Sequence, residues 1–196
     1  MLYLLIFLYH FIPHPAPAPV HDHPGVCKVQ KMTKGADGRV QYIQLEYGRL
    51  FRFTPKEMVP YLHGGALVES SVQLIKDHGE YRMILQMTVH ATRADKYFGG
   101  IADDNDIRMI LINGSSVYPK LIDVYAPIDY KDRKDKHIYR ASYKLSKRDV
   151  KALQKWELDG LGLFWKKGFE EYDIRNVDFF VDRLACIKKI VKNART

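Results

Sequence analysis

Between residues 80 and 90 the chain alternates apolar and polar positions with a period of two. Tyr81, Met83, Leu85, Met87 and Val89 share one face, and Arg82, Gln86, Thr88 and His90 fall on the other. That alternation predicts a strand with one buried and one wet face, typical of antiparallel sheets. Val40, Tyr42, Ile43 and Leu45 precede Tyr47-Gly48, and Leu50, Phe51 and Phe53 follow, which reads as a hairpin bent at the glycine. Thr54-Pro55-Lys56-Glu57 predicts a short helix, with Thr54 as N-cap, Pro55 at the first helical position, and Pro60 and His63-Gly64-Gly65 ending it. Residues 92–106 read as a loop. Beyond it, the runs Ile107 to Ile112 and Val117 to Tyr125 flank Asn113-Gly114, a strong hairpin signal because both residues tolerate positive φ. A further strand is expected over Ile138 to Lys144.

The last quarter changes period. Ser146-Lys147-Arg148-Asp149 is a loose capping box, followed by Val150, Leu153 and Trp156 at helical spacing. Leu158 to Trp165 and Phe169 to Ile174 then flank Lys166-Lys167-Gly168 as a second hairpin. Asn176 is expected to cap a helix with a broad apolar face made by Val177, Phe180, Val181, Leu184, Ile187 and Val191. These elements predict a mainly β fold, an antiparallel β-sandwich or rolled sheet with two short helices near the C-terminus; an α+β arrangement is the alternative. The abundance of aromatic residues, 13 Tyr and 9 Phe, favours strands in the same way.

The N-terminus divides the chain into residues 1–25, a signal-like segment with a linker, and residues 26–196, one β-rich domain. Met1 to Phe11 is an apolar run shorter than the roughly 20 residues a membrane span needs. It suits the h-region of an export signal, and Ala16-Pro17-Ala18 matches the cleavage pattern. No Lys or Arg precedes the run, and Pro19 follows the candidate site. Export to the periplasm, envelope or exterior is favoured over a cytoplasmic location; the other reading of the segment is an N-terminal strand packed on the domain. Its alternating Pro and Ala favour an extended linker.

Tyr143-Lys144-Leu145-Ser146, Trp156, Gly160 to Phe164, Tyr172-Asp173-Ile174 and Phe180 to Ile187 make up a helix, a hairpin and a closing helix. This unit resembles the C-terminal end of small exported β-rich proteins of Bacteroidota bacteria. The resemblance covers about a quarter of the chain. It implies fold and export and carries no activity.

Net charge is +8, which draws a protein toward nucleic acid and acidic polymers. The basic residues are nevertheless interleaved with acids. Lys131 to Lys136 alternates in sign and reads as a solvated loop. Lys188, Lys189, Lys192 and Arg195 complement the dipole at the end of the last helix. Cys27 and Cys186 are a candidate disulfide in an oxidising compartment and ordinary small core residues in a reducing one.

Candidate chemistry is sparse. Asp103, Asp104 and Asp106 offer hard oxygen ligands for a divalent cation, although turn chemistry alone accounts for such a loop. His21 and His23 suit Zn, Cu or Ni, but a linker preorganises neither, so adventitious binding is the expectation. His63, His78, His90 and His137 have no metalloprotease spacing. Ser70, Ser71, Ser115 and Ser116 lack a nucleophile elbow, and Gly64-Gly65 and Gly99-Gly100 form no phosphate loop. Trp156 and Trp165 are expected in the core, with stacking on a ligand as the alternative.

Three functions remain. The first is a non-catalytic exported binding or structural module of the bacterial envelope, with an envelope protein, a polysaccharide or another anionic ligand as partner. The second is a metal-assisted hydrolase using the acidic loop. The third, less favoured, is a basic nucleic-acid-binding module.

Overall fold

The computed structural model describes residues 27–62, 65–130 and 133–194. Residues 1–26, which include His21 and His23 and the segment read as an export signal and linker, lie outside them, as do His63 and Arg195. The fold is mainly β, built from two antiparallel sheets with short helices, and it forms no closed barrel. The larger sheet contains β1 (Val29–Lys34), β2 (Val40–Leu45), β3 (Gly48–Phe53), β4 (Val68–Asp77), β5 (Glu80–Val89), β8 (Lys120–Tyr130) and β9 (Arg133–Leu145). Its order is β1-β2-β4-β5-β9-β8, and β3 also pairs with β4. The smaller sheet, ordered β11-β10-β6-β7, is made by β6 (Arg108–Leu111), β7 (Ser116–Val117), β10 (Leu158–Trp165) and β11 (Gly168–Asp173). The helices are α1 (Ala94–Phe98), α2 (Lys147–Lys155) and α3 (Phe179–Asn193).

The alternation over residues 80–90 is realised: Met83, Leu85, Met87 and Val89 are fully buried. The capping box is complete at Ser146, whose hydroxyl accepts from the Asp149 N–H while Asp149 accepts from the Ser146 N–H. The β10–β11 hairpin pairs from Trp165↔Gly168 to Gly160↔Asp173.

Elsewhere the chain departs from the local reading. β2 and β3 do not form a hairpin. Both run antiparallel to β4, β2 against Ile75 to Asp77 and β3 against Val68 to Val72, so together they make one bent edge. The bend is set by α3: Arg183 donates to the Glu46 carbonyl at 2.8 Å, and its guanidinium stacks on Phe179. Gly48 lies beneath that pair, close enough that a Cβ would strike the guanidinium and come within 2.8 Å of the Phe179 ring.

The segment after Thr54 is a 3-10 turn, Lys56–Tyr61, with no side-chain cap; Thr54 Oγ1 instead accepts from the Leu67 N–H. The expected loop at 92–106 contains α1, ended by Gly99 in the left-handed conformation (φ 68°). The Asn113-Gly114 hairpin is brief. Pro119, which has no N–H for a ladder, separates β7 from β8, and β8 joins the other sheet. Part of the charge-alternating segment expected as a loop belongs to β9, which begins at Arg133. Asn176 does not cap α3; its side chain donates to the Arg49 carbonyl, and the helix starts after Asp178.

The core lies between the sheets and under α2 and α3. Tyr172 of β11 stacks on Phe51 of β3 with ring centroids 4.8 Å apart and meets Phe53 edge-on at 5.2 Å. Its hydroxyl accepts from Trp165 Nε1 at 2.9 Å and donates to Glu170 at 2.7 Å. Trp165 is in turn packed by Phe98 and Tyr139, whereas Trp156 is only partly buried at the edge of the core. A disulfide joins Cys27 to Cys186 with their Cα atoms 5.9 Å apart, tying the entrance of β1 to α3.

Two stability effects follow. Gly48→Ala is expected to cost about 2 kcal/mol, because the clash falls on a buried ring as well as on a mobile guanidinium. Loss of the disulfide by Cys27→Ala with Cys186→Ala is expected to cost about 2–4 kcal/mol. Urea denaturation of each variant, and of the reduced protein, measures both.

Candidate functional site

Period-two geometry that sends Met83, Leu85 and Met87 inward sends Arg82, Ile84, Gln86 and Thr88 to the opposite face of the larger sheet. Register adds Glu69, Ser71 and Gln73 from β4, and Ile138, Arg140, Ser142 and Lys144 from β9. The result is a polar face, much of it half-buried by its own neighbours. One end is fixed by an amide network: Gln73 Nε2 donates to Gln30 at 2.6 Å and to the Leu45 carbonyl at 2.9 Å, while Gln44 donates to Gln73 at 3.0 Å. This network holds the edge strand β1, whose side chains are all exposed.

Several cations around the face are matched to acids. Arg52 meets Glu69 at 2.9 Å, Arg82 meets Asp77 at 2.9 Å, and Lys144 meets Glu80 at 2.8 Å. Lys120 pairs with Asp106. Arg140 differs. Among the described residues it faces no carboxylate, and its Nε is buried without an acceptor. It lies opposite Gln86 on one side and Tyr125 on the other. Its guanidinium sits over the Tyr125 ring, 5.5 Å from the centroid, and its charge lies near enough to the Tyr47 hydroxyl to favour the phenolate.

Tyr47 reaches Arg140 from the bend between β2 and β3 over β4 and β5, three strand spacings or about 14 Å of sheet. Burial raises the Tyr47 phenol above its ordinary pKa, against the pull of the guanidinium. Both tyrosines stay open to solvent, at 37% and 36% exposure, so their rings can be reached from outside. The cluster can therefore offer a positive charge, partly exposed aromatic rings and neutral hydrogen-bonding groups on one surface.

Each carboxylate of the acidic loop has a partner of its own. Asp106 accepts from Lys120 and, at 3.0 Å, from the Leu121 N–H, pinning the start of β8. Asp103 lies 3.6 Å from Lys166, and Asp104 accepts from Asn105. His78 sits at the β4–β5 turn against Asp77, and His90 approaches Glu69 at 3.7 Å. Among the described residues, no group of three or more His, Cys, Asp or Glu is arranged to hold a metal ion. Also among them, no helix is long and apolar enough to cross a membrane.

Comparison with protein-family models, with curated proteins and with solved structures returns no match. Residues 47, 125 and 140 escape sequence reasoning because they belong to separate elements and carry no motif. The alternation of β5 marks the outer face, but only the register across β4, β5, β9 and β8 brings the three residues together.

Asp106 gives a pH prediction. Burial pushes its carboxyl up, but the hydrogen bonds from Lys120 and Leu121 outweigh that, so its pKa lies below its ordinary value. A depressed folded-state pKa contributes stability above the unfolded value and loses it as pH falls through the folded one. Asp106→Asn is therefore expected to cost about 1 kcal/mol near neutrality, with the difference from wild type shrinking below about pH 4. Urea midpoints measured across that range test it.

Proposed function

We propose that this protein is an exported, non-catalytic binding module of the bacterial envelope that presents the polar face of its larger sheet to an anionic ligand. The observation that carries this reading is Arg140, a partly buried guanidinium held against two tyrosines and without an acidic partner among the described residues. Buried or half-buried charges are ordinarily paired, so such a cation is a natural receptor for an external anion. The pairing of Arg52, Arg82, Lys120 and Lys144 with carboxylates favours a local site over a broad basic surface for nucleic acid. Asp103, Asp104 and Asp106 are each engaged by a neighbouring side chain, which offers no comparable support for a metal-assisted hydrolase. The disulfide is compatible with export.

The test is a titration of the oxidised protein with a panel of acidic and neutral polymers, followed by NMR shifts at Tyr47, Tyr125 and Arg140. Acidic polymers should move these signals, added salt should weaken the effect, and Arg140→Gln should remove it without a large change in melting temperature. A panel that leaves all three signals unmoved would sink the reading. Intact mass from the native cell tests export: the expected protein lacks the leading segment and has Cys27 paired with Cys186.

A further inference from the structure

The chemistry of the Arg140 cluster narrows the ligand. Arg140 is left without an acid among the described residues, while Arg52, Arg82 and Lys144 on the same face are tied to carboxylates. A phosphoryl or sulfated polymer, with dense negative charge, calls for several free cations; a single carboxylate calls for one. Guanidinium also suits a carboxylate geometrically, because its planar N–H groups match the two oxygens. Around it the polar groups are neutral: Gln86 lies directly opposite Arg140 on β5, and Ser71 lies opposite Gln86 on β4. Amide and hydroxyl groups beside partly exposed tyrosine rings provide hydrogen bonds for hydroxyls and an apolar face for ring C–H groups.

Gln86 and Arg140 lie on β5 and β9, whose backbones are paired on both sides, while Tyr125 lies on the edge strand β8, so the guanidinium sits away from the open edge that an extended peptide would add to. We infer that Arg140, Tyr47 and Tyr125 form a subsite for a hexuronate residue of an acidic saccharide. Arg140 receives the carboxylate, the tyrosine rings lie against the sugar, and Gln86 and Ser71 meet its hydroxyls. The inference rests on the binding-module reading above and specifies its ligand.

Oligogalacturonate and oligomannuronate are the probes, each compared with its methyl ester, which keeps the sugar and removes the charge. Calorimetry on the oxidised full chain should show at least one uronate oligomer binding, with its ester about ten- to hundredfold weaker. Arg140→Gln should lose binding to a similar degree, Arg140→Lys should recover part of it, and Tyr125→Leu should weaken it while the fold is retained. If Arg140→Gln fails to fold, the ester comparison on wild type and the Tyr125→Leu variant still decide the matter. Polyphosphate or a Glu-rich peptide moving the Arg140 and Tyr47 signals, with no uronate binding, would overturn the saccharide and leave the binding face standing. Equal binding of acid and ester would overturn the role given to the carboxylate. No probe moving those signals would remove both the subsite and the reading beneath it.

Discussion

Tyr172 joins the two layers of this protein. Its ring crosses from the smaller sheet to stack on Phe51 and meet Phe53 of the larger one, while its hydroxyl sits between Trp165 and Glu170. A phenol at this depth is tolerated because it both accepts and donates a hydrogen bond. Burial and the neighbouring carboxylate hold it far above its ordinary pKa, so it stays neutral as a fixed part of the core. Around this contact Trp165, Phe98 and Tyr139 fill the space between the sheets.

With the apolar side of the larger sheet committed to that interface, its other side need not bury a core. The face answers its own polarity locally: amides bind amides at β1, β2 and β4, and carboxylates meet most of the neighbouring cations. Arg140 is the departure from this economy. Its partners are a phenol and an aromatic ring, each a weaker match for a guanidinium than a carboxylate. A protein selected for stability alone could place a neutral side chain there.

Elements defined by their own residues were legible in the sequence. The alternation of β5, the capping box at Ser146 and the β10–β11 turn each rest on side chains a few positions apart. What depends on distant packing was not. β4 carries Val72, Gln73, Leu74 and Ile75, all buried, so it shows no alternation and escapes a period-two reading. β2 and β3 look like a hairpin, but both pair with β4, and α3 sets the bend between them by pressing Arg183 and Phe179 against Gly48. The acidic loop drew attention by composition, yet Asp106 serves as an anchor for β8. The Tyr47–Arg140–Tyr125 cluster is non-local in the same sense: each member is an unremarkable surface residue of its own strand or bend.

The covalent link between Cys27 and Cys186 bears on how this domain carries mechanical load. The cysteines lie 159 positions apart, and both sheets fall between them. Tension pulling residues before Cys27 against the end of α3 would pass through the sulfur bridge into the helix. The strands, the aromatic seam and the Arg140 face would sit outside the line of force. Unzipping β1 from β2, the usual first failure of a pulled edge strand, would be short-circuited. A reducing environment would restore that path, so the bridge acts as a strain relief for everything folded between its two ends.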